Sequence, residues 1–217
     1  MKTRLSKRAA IGLAALLLGS ALEAQAISSG HWKSKGRMEG GPQGELNTES
    51  ELWMKEKKVR IKTKVMGMEM NVVKAGDYVY QWQDGQTSGM KMPANVRRRG
   101  GASLDYLEKM DEIRSKGKKV GTETVEGHSC DIYEYTESPS EAESAGQRGP
   151  MKGKYWMAKD LKNFPIKTVM ETGDMTITTT NYDIDLKASV PDALLTPPET
   201  VKFQDMSEMM KGMRPKS

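Results

Sequence analysis

Residues 57–74 read KKVRIKTKVMGMEMNVVK, and this stretch contains the strongest structural pattern in the chain. Up to residue 65, apolar or β-branched side chains alternate with basic ones, as in a strand with one buried face. Met66-Gly67 then has the length and composition of a two-residue turn. After the turn the alternation resumes with its parity shifted by one residue. The apolar residues of this face are Val59, Ile61, Val65, Met68, Met70 and Val72.

The shift in parity is what a two-residue hairpin turn requires. Val65 then lies opposite Met68 and Ile61 opposite Val72, so that apolar side chains meet on one face of the hairpin. The other face carries lysine and arginine opposite Glu69 and a second polar residue. The stretch therefore predicts a β-hairpin with one charged face and one apolar face that is rich in methionine.

Short strand patterns continue on both sides of this hairpin and are separated by Gly, Pro, Asn and Asp. The further predicted strands are residues 31–38, 50–55, 78–82, 89–92, 119–125, 128–135, 154–159, 165–171, 175–186 and 201–203. One helix is predicted over residues 103–115, because apolar residues recur there at helical spacing. The predicted fold class is mainly β: a curved antiparallel sheet forming an open half-barrel, with one central helix and a C-terminal helical lid.

The first 26 residues have the organisation of a cleaved signal peptide. Four basic residues precede an apolar run at residues 11–18, and Ala24-Gln25-Ala26 fits the small-x-small cleavage rule. This apolar run is too short for a stable membrane anchor, so the mature chain is not expected to span a membrane. We expect a periplasmic or secreted protein with a half-barrel domain at residues 27–204 and a methionine-rich tail at residues 205–217.

The charge balance argues against nucleic acid as a partner. The formal net charge of the 217 residues is +5, and removing four basic residues and Glu23 with the signal leaves +2. A nucleic-acid-binding surface needs a clustered basic face, which the mature chain lacks.

Cys130 is the single cysteine, so no intrachain disulfide forms, and its place in a predicted strand indicates a buried, unreactive thiol. A chain of this length fits one domain, which we expect to be monomeric.

The sequence contains no recognisable catalytic site. Two histidines and one cysteine are too few for the usual zinc cage, and the chain has no CxxC or HExxH motif. A Gly-rich phosphate loop and a Gly-x-Ser-x-Gly nucleophile elbow are also absent. We therefore predict that the protein is not an enzyme and needs no cofactor.

Methionine is unusually frequent, with 17 copies in the chain. The tail methionines follow helical spacing and are candidates for a lid: Met206, Met209, Met210 and Met213. Three interpretations of the methionine clusters are open. Methionines can simply fill the core of the sheet, or they can line an adaptable apolar cavity for an acyl chain. They can also bind Cu(I), because soft thioether ligands select this ion.

The candidate binding surface for a hydrophobic small molecule or lipid is the apolar face of the sheet. Its predicted lining is Val59, Ile61, Val65, Met68, Met70 and Val72, with Trp53 and Tyr80 as aromatic walls. In the Cu(I) alternative the ligands come from the paired methionines Met66, Met68, Met70, Met90 and Met92.

Several short segments resemble the exported LolA/LolB-type carriers of outer-membrane lipoproteins. Residues 121–133, GTETVEGHSCDIY, resemble a GxExVxGxxCxxY hairpin of that superfamily. Residues 155–160 (YWMAKD), 164–167 (FPIK) and 190–198 (VPDALLTPP) resemble three later motifs, and residues 52–60 resemble an earlier one. The motifs are structural and none is catalytic. The chain is most similar to an uncharacterised, domain-of-unknown-function branch of this superfamily.

The resemblance implies an open, strongly curved half-barrel whose concave apolar face holds lipid and is closed by helices. The leading hypothesis is therefore an exported, non-catalytic protein that holds a lipid or the acyl chain of a lipoprotein on this face. Two alternatives stay open: a periplasmic Cu(I) carrier, and a structural or assembly protein that binds another envelope protein. The carriers open with a helix that helps to cover the cavity, whereas here residues 103–115 and the tail would have that role.

Overall fold

The computed structural model describes residues 27–40, 44–94, 108–136 and 151–207, and of residues 108–111 only the backbone. The predicted signal peptide lies outside these residues. The described strands are β1 Ser29–Glu39, β2 Leu46–Lys55, β3 Lys58–Val65, β4 Met68–Ala75, β5 Tyr78–Gln83, β6 Ser88–Pro93, β7 Lys118–Val125, β8 His128–Thr136, β9 Lys152–Ala158, β10 Phe164–Thr172, β11 Met175–Asp185 and β12 Lys202–Asp205. The described helix is α1, Glu108–Lys116, and Lys159–Leu161 and Asp192–Leu195 form short 3-10 turns.

All twelve described strands belong to one sheet, in the order β12-β6-β5-β4-β3-β2-β1-β11-β10-β9-β8-β7. Neighbouring strands are antiparallel except β12, which runs parallel to β6. The sheet is curved but does not close, so β12 and β7 form its two edges. The predicted fold class, an open half-barrel of antiparallel strands, is therefore confirmed.

The β3–β4 hairpin has the predicted register. Met66 and Gly67 have φ angles of 50° and 78°, the left-handed conformations of a type I′ turn. Val65 pairs with Met68 and Ile61 with Val72. On the opposite face the observed ion pair is diagonal: Lys62 Nζ lies 2.8 Å from a Glu69 carboxylate oxygen.

Irregular pairing bends the sheet at three places. The register shifts between His31 and Lys33 opposite β11, between Pro165 and Lys167 opposite β9, and between Lys119 and Gly121 opposite β8. An extra residue in one strand of a pair increases local twist and turns the strand direction. These shifts contribute to the curvature that gives the sheet a concave and a convex face.

We call the face that carries the main hydrophobic cluster the concave face. This cluster runs across the sheet from Met92 on β6 to Cys130 on β8, with Trp32 near its centre. Trp32 is fully buried, and its ring meets that of Phe164 edge-on at 5.0 Å between centroids. The other buried members are Ile27, Leu52, Met54, Val59, Ile61, Val72, Val79, Ile132, Trp156, Ala158 and Ile166.

Helix α1 packs at the β8–β9 end of the sheet. Its buried Ile113 contacts Tyr135, Tyr155 and Met157. Tyr155 pairs directly with Thr168 on β10. Residues 103–107, where we predicted the helix to begin, lie outside the described residues.

Residues 186–201, which connect β11 to β12 along the chain and which we call the strap, lie partly on the convex face. Its turn Asp192–Leu195 contacts β2, β3 and β4, and Leu195 is 1% exposed. Beyond the strap, Phe203 of β12 packs with Tyr80 and Trp82. The strap therefore covers part of the convex face of the hairpin, which the sequence predicts to be a charged face.

Candidate functional site

The concave face brings together the six predicted aliphatic and methionine residues of the hairpin. Val59, Ile61 and Val65 are at most 2% exposed, while Met70 and Val72 are 7% and 4% exposed. Met68 is half-buried at the end of the hairpin. Because the register pairs these residues across β3 and β4, their side chains form one continuous apolar surface.

Two rows of residues in register extend this surface from β1 to β6. The first row is Gly30, Met54, Val59, Lys74, Val79 and Met92. The second row is Trp32, Leu52, Ile61, Val72, Gln81 and Met90. Lys74 and Gln81 are the only polar side chains in these two rows, so this part of the concave face is almost entirely hydrophobic.

The two predicted aromatic walls lie on the other side of the sheet. Trp53 pairs with Arg60, and Tyr80 pairs with Val73, so both project from the convex face. Side chains alternate between faces along a strand, and each of these residues neighbours a buried residue that points to the concave side. Trp53 and Tyr80 are therefore not part of the concave surface.

The methionine clusters are divided between the tip of the hairpin and the concave face. Met66 lies in the turn and is 56% exposed. Met68, Met70, Met90 and Met92 all project from the concave face. Met206 packs against the main cluster beside β6, where its backbone N–H donates to the Lys91 carbonyl at 2.9 Å. The other lid candidates, Met209, Met210 and Met213, lie outside the described residues.

A polar band crosses the concave face next to the apolar rows. One of its two rows joins Asn181, Ser34, Ser50 and Thr63, and the other joins Thr168, Thr179 and Thr48. Each of these seven side chains is at most 8% exposed. Sequence analysis missed the band, because serine and threonine in a strand usually indicate the solvent-exposed face.

A cleft of about 670 Å³ lies on the convex face between the sheet and the strap. Arg60 and Trp82 form part of its sheet side, and Asp84, Pro198 and Glu199 contribute from the flanking loops. Its aromatic and charged lining differs from the apolar concave surface.

Arg60 connects the sheet to the strap. Its Nη2 donates to Asn71 Oδ1 at 2.8 Å, and its Nη1 donates to the Leu194 carbonyl at 3.3 Å. The guanidinium carbon lies 6.0 Å and 5.6 Å from the ring centroids of Trp53 and Trp82, within cation–π range. Burial lowers the pKa of Arg60, and the nearby carboxylate of Asp84 acts against this shift. The side chain remains a cation, because an arginine pKa lies far above neutral pH.

No group of three or more His, Cys, Asp or Glu side chains is placed to hold a metal ion within the described residues. Cys130 is fully buried, and burial raises the pKa of its thiol, which matches the predicted inert role. His31 and His128 each pair with one carboxylate, from Glu51 at 2.9 Å and Asp160 at 2.8 Å.

Comparisons with known proteins give structural matches only. No protein-family model matches the chain, and no curated protein does. An uncharacterized conserved protein from Thermus thermophilus has a TM-score of 0.53 and 8% identity, covering 92% of this chain and 99% of that one. Lipoprotein LppX from Mycobacterium tuberculosis has a TM-score of 0.46 and 11% identity, covering 86% and 100%. A LolA superfamily protein from Nitrosomonas europaea has a TM-score of 0.43 and 10% identity, covering 86% and 97%.

The Thermus protein shares the fold of this chain. Within the described residues, no helix combines the length and the hydrophobicity needed to cross a membrane.

Proposed function

We propose that this chain is an exported, non-catalytic binding protein that holds a lipid or a similar hydrophobic ligand on the concave face of its sheet. The observation that carries the proposal is the apolar surface formed in register by β1 to β6. It consists almost entirely of aliphatic, aromatic and thioether side chains. The signal-like residues 1–26 and the lipoprotein-carrier motifs in the sequence support export and a carrier role.

The chemistry of this surface suits a flexible acyl chain. Removing apolar surface from water contributes about 25 cal/mol per Å², so a long acyl chain gains several kcal/mol without any directional contact. Met54, Met70, Met90 and Met92 add unbranched side chains that adapt to ligands of different shape. Broad selectivity for chain-like ligands follows from such a lining.

Methionine-to-aspartate variants test the proposal. Met70→Asp places an ionised carboxylate on the apolar concave surface, where burial of a charge without a partner is costly. We expect it to weaken binding of a fluorescent fatty acid such as cis-parinaric acid by at least about tenfold, or about 1.4 kcal/mol. Met68→Asp, at a half-buried position, is the companion variant if Met70→Asp does not fold.

Met66→Asp is the matched control. It makes the same chemical change in the same hairpin, but at a residue that is 56% exposed and has a φ of 50°, which aspartate tolerates. We expect its affinity for the fatty acid to equal that of the unchanged protein. Equal affinities in all folded variants would contradict binding on the concave face.

Cu(I) carriage is the second candidate function, and the position of Met206 favours it. Asp205 pairs with Lys91 in a parallel ladder, which places Met206 beside Met92 at the end of the main cluster. Met90 projects from the same face. Three thioethers at one place on the sheet are a suitable donor set for Cu(I). A metal count on the purified protein separates this candidate from lipid binding.

A further inference from the structure

The polar band is an unusual feature for a surface that only has to bind hydrocarbon. Its seven side chains occupy two rows across five strands of the concave face. In a purely apolar core or cavity, valine at the threonine positions would make the sheet more stable, because buried hydroxyl groups are costly unless they form hydrogen bonds.

Part of the band satisfies its own hydrogen bonds. The hydroxyl groups of Ser50 and Thr63 lie 3.0 Å apart, and Thr48 Oγ1 donates to the Gly36 carbonyl at 3.4 Å. Asn181 Nδ2 donates to the Pro165 carbonyl at 2.7 Å. This last bond also fixes the orientation of the Asn181 amide, because a carbonyl partner requires the nitrogen to face it.

Among the residues that the structure describes, three buried polar atoms on the concave face have no hydrogen-bond partner: Asn181 Oδ1, Trp32 Nε1 and Gln81 Nε2. The three residues are at most 2% exposed. Asn181 and Trp32 lie on the neighbouring strands β11 and β1, and Trp32 and Gln81 lie in the same row. An orphaned buried polar atom costs about 1–3 kcal/mol, so three on one face call for an explanation.

The three atoms without a partner determine which hydrogen-bonding groups a ligand has to offer. Asn181 Oδ1 accepts a hydrogen bond, whereas Trp32 Nε1 and Gln81 Nε2 donate. A partner must therefore offer a donor, such as a hydroxyl group, and an acceptor, such as a carbonyl oxygen. The group that lies on the band must also be neutral, because the seven side chains of the band carry no charge and an ionised group there would be buried without a counter-ion beside it.

We propose that the ligand is a neutral amphiphile, an acyl ester with free hydroxyl groups, whose polar part lies on the band and whose chain follows the apolar rows. This inference rests on the proposed function, since it needs a ligand on the concave face. The ligand hydroxyl donates to Asn181 Oδ1, and its ester carbonyl accepts from Trp32 Nε1. The band is thus the specificity-determining part of the site.

The test compares three competitors of equal chain length: monopalmitin, palmitate and hexadecane. Each displaces the methyl ester of cis-parinaric acid, a neutral fluorescent probe, from the purified mature chain. We expect monopalmitin to bind at least about tenfold more tightly than hexadecane, since each net hydrogen bond contributes about 1 kcal/mol. Palmitate at neutral pH should bind more weakly than monopalmitin, because its carboxylate would be buried without a counter-ion.

Asn181→Leu removes the orphaned acceptor and should reduce the preference for monopalmitin over hexadecane to within about threefold. If this variant does not fold, Trp32→Phe removes the unpaired donor Nε1 and tests the other contact with the polar part of the ligand. Thr178→Val is the control, because Thr178 neighbours the band on β11 but projects from the convex face.

The outcomes separate the two proposals. Equal binding of monopalmitin and hexadecane, or tighter binding of palmitate, overturns the neutral amphiphile while lipid binding stands. An unchanged preference in the folded band variants overturns the role of the band. Binding of none of the three competitors overturns the proposed function, and this inference with it.

Discussion

Arg60 shows how one residue joins two parts of the molecule. The sequence predicts it to be one of the basic residues on the charged face of the hairpin, yet it lies half-buried between two tryptophan rings and donates to Asn71 and Leu194. Asn71 is fully buried, so the guanidinium supplies a hydrogen bond that water cannot. The side chain therefore holds the strap against the sheet.

Arg60→Met tests this role. Methionine keeps the apolar stem but leaves Asn71 Oδ1 and the Leu194 carbonyl without their donor, at a cost of about 1–3 kcal/mol in the free energy of unfolding. Arg37→Met is the matched control, because Arg37 forms only exposed ion pairs, which contribute about 1 kcal/mol or less. Urea unfolding measures both. Equal losses of stability would contradict a special role for Arg60.

Individual residues also show which pairings and side-chain directions can be predicted from the sequence. The pairing of Val65 with Met68 follows from local alternation and a two-residue turn, and the structure has it. Trp53 and Tyr80 could not be assigned to a face in the same way. Trp53 lies between two apolar residues, and Tyr80 lies in a run of five strand-forming residues, so neither segment alternates clearly. Only pairing with the neighbouring strand decides their direction.

Among the elements, β12 depends on a glycine in its neighbour. Phe203 packs against Gly89, and a Cβ at residue 89 would lie 2.7 Å from the Gln81 carbonyl oxygen and 2.8 Å from the Phe203 ring. Gly89→Ala should therefore displace β12 and reduce stability by about 1–3 kcal/mol, as overpacking does. Hydrogen exchange at residues 202–205 and urea unfolding report the two effects.

Gly121→Ala is the control for this substitution. It makes the same change in another strand, where the nearest atom would be Ile132 Cδ1 at 3.8 Å. We expect unchanged exchange at residues 202–205 and a change in stability below about 1 kcal/mol. If Gly89→Ala also leaves the exchange and the stability nearly unchanged, close packing at Gly89 does not hold β12 against β6.

The opposite edge of the sheet predicts a dependence on pH. Asp131 on β8 lies 2.7 Å from Lys119 Nζ on the edge strand β7 and 3.0 Å from Lys159 Nζ. The hydrogen bond from Lys119 is the main cause that lowers the pKa of Asp131. A lowered pKa means that the carboxylate stabilises the fold above its ordinary pKa, and that this stability is lost as pH falls through the lowered value.

Asp131→Asn should therefore be less stable than the unchanged protein near neutral pH and equally stable at the acid end. Urea unfolding at a series of pH values below about 6 measures the difference between the two proteins. A constant difference across this range would show that the charge of Asp131 does not contribute.

Features that join distant parts of the chain cannot be predicted from local sequence. Alternation and turn residues predict strands close to all twelve that the structure describes, including residues 201–203 for β12. The parallel pairing of β12 with β6 joins segments more than a hundred residues apart, and the strap has no periodicity of its own. The polar band needs five strands in register before it becomes visible, so no single segment indicates it.

At the scale of the whole molecule, the two faces of the sheet have different coverings. The convex face is partly covered by the strap, which packs through Leu195 and is followed by the aromatic contacts of Phe203. The concave face carries the apolar rows and the polar band. In the function that we propose, the concave face both contributes the main hydrophobic cluster and binds the ligand.

The most direct test of lipid binding is the mass of the protein as it leaves the cell. Mature chain would be purified from an exporting host without detergent and analysed by native and denaturing mass spectrometry. Organic extraction and a metal count would follow on the same sample. We predict a mass difference between the two spectra that is recovered in the organic phase as a neutral lipid, at close to one molecule per protein. Protein free of extractable lipid, whether empty, loaded with copper or bound to another protein, would contradict the account.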